Sequence, residues 1–247
     1  MLRAKSDFKF NHDPVNECLA RSDSQLVGSE GREIAVDVGI THLRERSRFP
    51  ARLLVAIELC SLTFQHGEAS RRNLVATSLF SDGAAAAVIA GAQAAIPERP
   101  HPALALLASR STLWPDSLDV MGWEVDEAGL HVVFSRDIPS IVRDWVRPDF
   151  ESFLADHDLD LAGLDAVIAH PGGPKVLLAY QQALGLPHAA LRHSAEILRT
   201  CGNMSSPTCL FVLERALAAG DIKAGDSAVL AALGPGFSSE LVLMRGV

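Results

Sequence analysis

The apolar run Ala166-Val167-Ile168-Ala169 ends in His170 and is followed at once by Pro171-Gly172-Gly173-Pro174. Such a run reads as a buried strand. The imidazole would then stand at a strand's carboxyl end, where open α/β sheets gather their ligands. The adjoining glycines let a backbone or a substrate come close. The same pattern also suits a core histidine bonded to a loop carbonyl. A second segment, Gly202-Asn203-Met204-Ser205-Ser206, lies between two helical stretches. Gly and Asn both tolerate a left-handed backbone, so it reads as a turn. An Asn amide placed there is equally able to donate to a developing oxyanion. A third, Leu233-Gly234-Pro235-Gly236-Phe237, has the wording of a tight hairpin.

The elements that must hold these residues are best marked in the last third of the chain. Ala166 to His170 is a strand, Lys175 to Leu184 a helix stopped by Gly185, and Ala195 to Cys201 a second helix closed by Gly202. Ser206-Pro207 opens a third helix, with Ser as cap, that runs to Gly220. Ser227 to Leu233 and Glu240 to Arg245 form a terminal strand pair. Further upstream, Leu53 to Leu59 reads as a buried strand, and Leu104 to Ser109 and Gly129 to Phe134 as strands. Asp82-Gly83, between LVATSLF and AAAAVIAG, predicts a hairpin turn. Arg136 to Pro139 starts a helix that Pro148 must end or kink. Ile34, Val38 and Leu43 are loosely helix-spaced, whereas residues before about 32 are polar and aperiodic. Strands alternating with helices give an α/β layer structure, and the fully apolar strands call for helices on both sheet faces.

The 247 residues suit one large or two small domains and bury a core without staples. With 22 Lys and Arg against 30 Asp and Glu, a formal −8, the chain is a poor partner for phosphate backbones. Cys18, Cys60, Cys201 and Cys209 show no CxxC spacing, so neither a zinc site nor a redox pair is expected. Scattered cysteines, a start without a signal-peptide pattern and no apolar run long enough for a bilayer predict a cytoplasmic protein without membrane insertion.

Each of the three motifs is weak alone, but their order and spacing together are specific. HPGGP, then GNMSS thirty-three residues on from His170 to Asn203, then GPG near the end resembles the type III polyketide synthases, the chalcone and stilbene synthase family. The resemblance extends through VAIELCSLTF (Val55 to Phe64), NLVATSLFSDGAAAAVIAG (Asn73 to Gly91) and MGWEV with GLHVVFSRDIPSIV (Met121 to Val142). The wording is similar to the bacterial and fungal branch that makes alkylpyrones and alkylresorcinols.

The resemblance implies a thiolase-like α/β fold, its C-terminal half complete and its N-terminal half only partial. Residues 1–32 are then a poorly defined segment, 33–120 the remnant of the first half, and 121–247 the second half. It implies a homodimer and an acyltransferase that condenses an acyl-CoA starter with malonyl-CoA into a pyrone- or resorcinol-type polyketide. No cofactor or metal is implied beyond the coenzyme A thioesters. His170 and Asn203 match the His and Asn of a Cys-His-Asn triad, where they hold the thiolate and form the oxyanion hole. Phe80 matches a gatekeeper aromatic, and Val132 stands where a second gatekeeper Phe is usual, which implies a roomier passage. Cys60 and Thr63 match cavity-shaping positions, Gly234, Pro235 and Gly236 a cavity wall, and Ser205 a substrate-binding position.

The nucleophile departs from the pattern. The family carries it in a Gly-Cys-x-Gly-Gly type turn upstream of the ELCSLTF strand, whereas here the stretch reads Val27-Gly28-Ser29-Glu30-Gly31-Arg32. Ser29 is the nearest hydroxyl to the expected place. Cys18 lies too far upstream, Cys60 belongs to the following strand, and Cys201 and Cys209 read as packing residues. A chain without this Cys also fits a catalytically inactive truncated homologue, or a partner of an intact synthase. The missing part of the first half would leave strand edges and apolar surface uncovered. HPGGP points away from the fatty-acid-initiating synthases, and the absence of GxSxG points away from hydrolases.

Overall fold

The computed structural model describes residues 25–28, 51–91, 100–127, 129–135 and 137–247. The expected helical spacing at Ile34, Val38 and Leu43, and both Cys18 and Ser29, lie outside the described residues. Nine strands are described: β1 Gln25–Gly28, β2 Ala51–Glu58, β3 Gly83–Ala90, β4 Leu104–Leu113, β5 Met121–Asp126, β6 Gly129–Phe134, β7 Ala166–Ala169, β8 Ser227–Gly234 and β9 Ser238–Gly246. Seven of them form one mixed sheet in the order β2-β3-β1-β4-β9-β8-β7, and β5 pairs β6 as a separate hairpin. β7 runs parallel to β8, while β2–β3, β4–β9 and β8–β9 are antiparallel.

The C-terminal part of this sheet is buried on both faces, as its apolar strands require. Alternate residues of β8 and β9 serve two cores. Leu230, Val242 and Met244 pack with Phe211 and Leu213 of helix α6, Ser206–Ala218. Val229, Leu241 and Leu243 pack with Phe150, Phe153 and Tyr180 on the opposite side. Phe150 and Phe153 belong to α3 (Arg147–Ala155), and Tyr180 belongs to α4 (Pro174–Leu184). The short α2 (Ile138–Ile141) joins α3 through a π-helical stretch, Val142–Val146. That stretch leaves Pro148 in the first turn of α3, where its missing N–H costs nothing, so the proline neither ends nor breaks the run.

Two expectations are corrected. LVATSLF is not a hairpin strand: Arg71–Leu79 is helix α1, whose N-cap Ser70 accepts the N–H of Asn73 at 3.2 Å. Asp82-Gly83 therefore links a helix to β3, and the antiparallel partner of β3 is β2, eight residue pairs long. β2 is also not a fully buried strand. Leu54 and Ala56 pack against the core, whereas Leu53, Val55 and Ile57 are 51–63% exposed. Its outward row is uncovered because no described helix lies over that face.

Candidate active site

His170 follows the last residue of β7. Its N–H donates to the Ala231 carbonyl of β8 (2.8 Å), and its own carbonyl accepts from the Gly172 N–H (3.0 Å). The buried Ser194, on helix α5 (Arg192–Cys201), donates its hydroxyl to the Ala169 carbonyl at 2.7 Å. The backbone that carries the imidazole is thus tied from both sides.

Asn203 approaches from the other direction, in the turn between α5 and α6. Its backbone pairs with Phe80 as an isolated parallel bridge: Asn203 N–H to Leu79 carbonyl at 2.8 Å, Ser81 N–H to Asn203 carbonyl at 3.0 Å. Ser81 also donates its hydroxyl to the Cys201 carbonyl at 2.5 Å. The glycine before Asn203 is required here. Gly202 has φ +77°, and a Cβ on it would lie 2.8 Å from Ser81 Oγ and 3.1 Å from the Leu79 carbonyl oxygen. Gly83 is close-packed in the same way, against Met204.

The two side chains meet. His170 Nε2 lies 3.1 Å from Asn203 Oδ1, which also accepts the Ser205 N–H at 2.9 Å. An amide oxygen only accepts, so Nε2 carries the hydrogen. Asn203 Nδ2 donates to the Gly172 carbonyl at 3.4 Å. Burial lowers the pKa of His170, opposed by the bond to Asn203, so the imidazole is neutral at neutral pH. Asn203 Nδ2 keeps a second hydrogen for an oxyanion, whereas the single Nε2 hydrogen of His170 is given to Oδ1 and reaches an oxyanion only by leaving it.

The other expected residues are distributed around this pair. Ser205 precedes α6 with φ +59°, and it rather than Ser206 is the cap residue. Ser206 instead donates its hydroxyl to Glu58 at the end of β2, at 2.7 Å. Gly234 ends β8, and Pro235 and Gly236 lie between it and β9. Gly236 N–H donates to the Met121 carbonyl at 3.2 Å, and the buried Ser117 hydroxyl accepts from Phe237 N–H at 2.6 Å. Cys60 and Thr63 share a 3-10 turn after β2, where Thr63 donates its hydroxyl to the Cys60 carbonyl at 2.8 Å.

Neither described free thiol is a nucleophile in waiting. Burial, with Glu58 and Asp82 nearby, pushes the Cys60 thiol up to about 11. Burial likewise pushes the Cys209 thiol up to about 12. Among the described residues, the side-chain hydrogen-bond partner of the His170 ring is Asn203.

A cleft of about 850 Å³ opens between α1, the β5–β6 hairpin and the first turn of α4. Thr63 and Val132 line it, whereas Cys60, Phe80, His170, Asn203, Ser205 and Gly234 to Gly236 do not. Arg71, Arg72 and Lys175 bring positive charge to it, and Trp123, Val125 and Leu130 bring apolar surface. Trp123, on β5, was not singled out from the sequence. It lines the cleft and its ring stands 6.3 Å from that of Phe80, centroid to centroid. Phe80 is also bridged through its backbone to Asn203, so it contacts both the Trp123 ring and the asparagine turn. Alternation along MGWEVD was the available signal for the strand that presents Trp123.

Residues 105–247 match the family described as chalcone and stilbene synthases, C-terminal domain. The chain belongs to that family. Its sequence is 43% identical over 195 residues to a putative chalcone synthase of Bacillus subtilis strain 168, covering 77% of this chain and 53% of the relative. It is also 43% identical over 193 residues to a 1,3,6,8-tetrahydroxynaphthalene synthase of Streptomyces peucetius, covering 78% and 50%. Among solved structures, the 1,3,6,8-tetrahydroxynaphthalene synthase of Streptomyces coelicolor, a bacterial type III polyketide synthase, superposes with a TM-score of 0.71 at 30% identity. That superposition covers 79% of this chain and 54% of the other. The fold is therefore the thiolase-like one of the type III polyketide synthases. The chain spans about half the length of the relatives it matches.

Proposed function

We propose that this chain carries the oxyanion-stabilising half of a type III polyketide synthase, acting on malonyl-CoA and an acyl-CoA starter to give a pyrone- or resorcinol-type product. The observation that supports it is the His170–Asn203 pair, 3.1 Å apart and held by backbone bonds on both sides. Decarboxylation of malonyl-CoA breaks the bond to the carboxylate carbon and releases CO₂. The electron pair moves into the thioester, whose carbonyl oxygen becomes an enolate oxyanion. The second Nδ2 hydrogen of Asn203 is the donor for that charge, joined by Nε2–H of His170 when it exchanges Asn203 Oδ1 for the oxyanion. In this reading Phe80, Trp123 and Val132 bound the passage from the cleft, Cys60 and Thr63 shape it, and Gly234, Pro235, Gly236 and Ser205 wall the cavity. Arg71 and Lys175 face the phosphates of coenzyme A. Residues 33–120 then belong to the first thiolase-like half and 121–247 to the second. No cofactor beyond the thioesters and a cytoplasmic setting complete the reading. Among the described residues, no helix is long and apolar enough to cross a membrane.

A second reading is an inactive homologue, or a partner of an intact synthase. The raised thiols of Cys60 and Cys209 favour it, because covalent loading of a starter needs a thiolate.

Intact-protein mass spectrometry with labelled acyl-CoA, together with CO₂ release from malonyl-CoA, separates the two. A starter-sized adduct plus a pyrone or resorcinol supports condensation, with Ser29 the first residue to replace. CO₂ release without adduct, falling roughly 100-fold in Asn203→Ala, supports the oxyanion role alone. Neither signal from a folded sample leaves the non-catalytic reading.

A further inference from the structure

The loop between β4 and β5 inverts the usual rule of burial. Its apolar Leu118 is 79% exposed, whereas the serine beside it, Ser117, is 0% exposed. Taking a hydroxyl out of water is costly unless it finds partners. Ser117 Oγ accepts the Phe237 N–H at 2.6 Å, and its one hydrogen faces two carbonyls, that of Trp114 at 2.6 Å and that of Gly236 at 2.9 Å. Trp114 belongs to the serine's own turn, but Gly236 and Phe237 lie 119 and 120 residues further along the chain.

Backbone bonds extend this contact. The Gly236 N–H donates to the Met121 carbonyl at 3.2 Å, and the Trp114 N–H donates to the Phe237 carbonyl at 3.0 Å. All four polar groups of the Gly236 and Phe237 backbone are therefore bonded to residues 114–121, two of them to the Ser117 hydroxyl. The Phe237 ring, fully buried, stacks on Trp114 with centroids 5.5 Å apart. The same segment roots the hairpin that walls the cleft. The Ser117 carbonyl accepts the Val120 N–H at 3.0 Å, and the Val120 carbonyl accepts the Ser135 N–H at 2.8 Å, just beyond β6. Ser135 lines the cleft, and so does Trp123, two residues on from Met121.

We propose that Ser117 is a positioning residue: its hydroxyl fastens the turn at 234–237 to the root of the cleft hairpin, so that the two walls keep one spacing and together select the acyl chain. Without the hydroxyl, the Phe237 N–H and the Gly236 carbonyl lose their partner in a buried place. The selectivity rests on the acyl-CoA reading of the cleft and turn given above, whereas the fastening does not. A short acyl group ends near the cleft and a long one must pass along the turn, so a loosened turn costs the long chain alone.

Ser117→Ala removes the hydroxyl. Ser239→Ala is the control, at a serine 1% exposed whose hydroxyl has no hydrogen-bond partner among the described residues. Both are compared with the unaltered 247-residue chain by residue-resolved amide hydrogen exchange. Exchange at Phe237 should quicken about tenfold in Ser117→Ala, the scale of one lost buried hydrogen bond, with Leu230 and Val242 unchanged. It should not quicken in Ser239→Ala. Ser117→Cys, a weaker donor and acceptor of similar shape, should fall between, and it serves in place of Ser117→Ala if that variant does not fold. In tryptophan-fluorescence titrations, Ser117→Ala should raise the Kd for dodecanoyl-CoA by about fivefold, roughly the burial of one methylene, and leave that for acetyl-CoA unchanged. Phe237 exchange that stays slow, or that quickens equally in both alanine variants, overturns the fastening. Quickened exchange with an unchanged preference between the two thioesters overturns the role in selectivity. An unaltered chain that binds neither thioester sinks the acyl-CoA reading of the cleft instead, and the exchange rates alone then decide Ser117.

Discussion

The orientation of a single amide decides what the candidate site can do. Ser205 N–H fixes Oδ1 of Asn203, that oxygen fixes the hydrogen of His170 on Nε2, and Nδ2 is left to face Gly172 and any ligand. The residues themselves were legible, because HPGGP and GNMSS are motifs with a definite wording. Their coupling was not. It depends on the left-handed backbone at Ser205 and on the bridge between Asn203 and Phe80, residues 123 positions apart along the chain. The desolvated imidazole has a consequence for stability. Its folded pKa lies below the ordinary 6.5, so between those two values the unfolded chain binds a proton that the folded chain refuses. Stability is therefore unaffected at higher pH and is lost as pH falls through about 6.5. Urea midpoints for the chain and for His170→Gln should show the difference shifting against the histidine as pH drops from 7.5 to 5.5, since glutamine does not titrate. A difference that stays constant would contradict it.

Among elements, strands followed by a clear stop were readable, and a segment whose state depends on its neighbours was not. Gly129–Phe134 and the terminal pair around Gly234-Pro235-Gly236 emerge as expected. LVATSLF does not, because its short apolar run suits a strand or a helix equally. What decides is local. Ser70 caps the first turn, and Asn73 Nδ2 donates to the Glu68 carbonyl at 2.7 Å. The Ser70 hydroxyl itself donates to the Glu68 carboxylate at 2.6 Å, which is the main cause of that group's lowered pKa. Glu68 also lies 3.3 Å from His131 across the cleft, so this cap braces the cleft wall as well as the helix. Ser70→Ala should cost about 1 kcal/mol in urea unfolding, the usual worth of an N-cap. It should also raise the Glu68 pKa, followed through the carboxyl carbon by NMR titration. An unchanged titration would mean that His131, not Ser70, sets that carboxylate.

At the scale of the molecule, one sheet divides two cores yet also fastens them together. Leu230 and Val242 look towards α6, while Val229 and Leu241 on the same strands look towards α3 and α4. Neither layer of helices has a sheet of its own, so losing either exposes strands that the other needs. The fully apolar strand sequences made this two-sided burial legible. The uncovered row of β2 was not legible from β2 itself, since five consecutive apolar positions, Leu53 to Ile57, do not reveal which face lacks a neighbour. Two substitutions on opposite sides test the coupling: Phe211→Ala in α6 and Phe150→Ala in α3, at side chains that are 3% and 0% exposed. Each should cost about 3–5 kcal/mol, the usual loss on truncating a buried phenylalanine. In calorimetry both should lower one shared transition, because the sheet transmits either loss to the other core. Two separate transitions, only one of them moved by each variant, would mean that the helical layers unfold independently and that the sheet is not the common element.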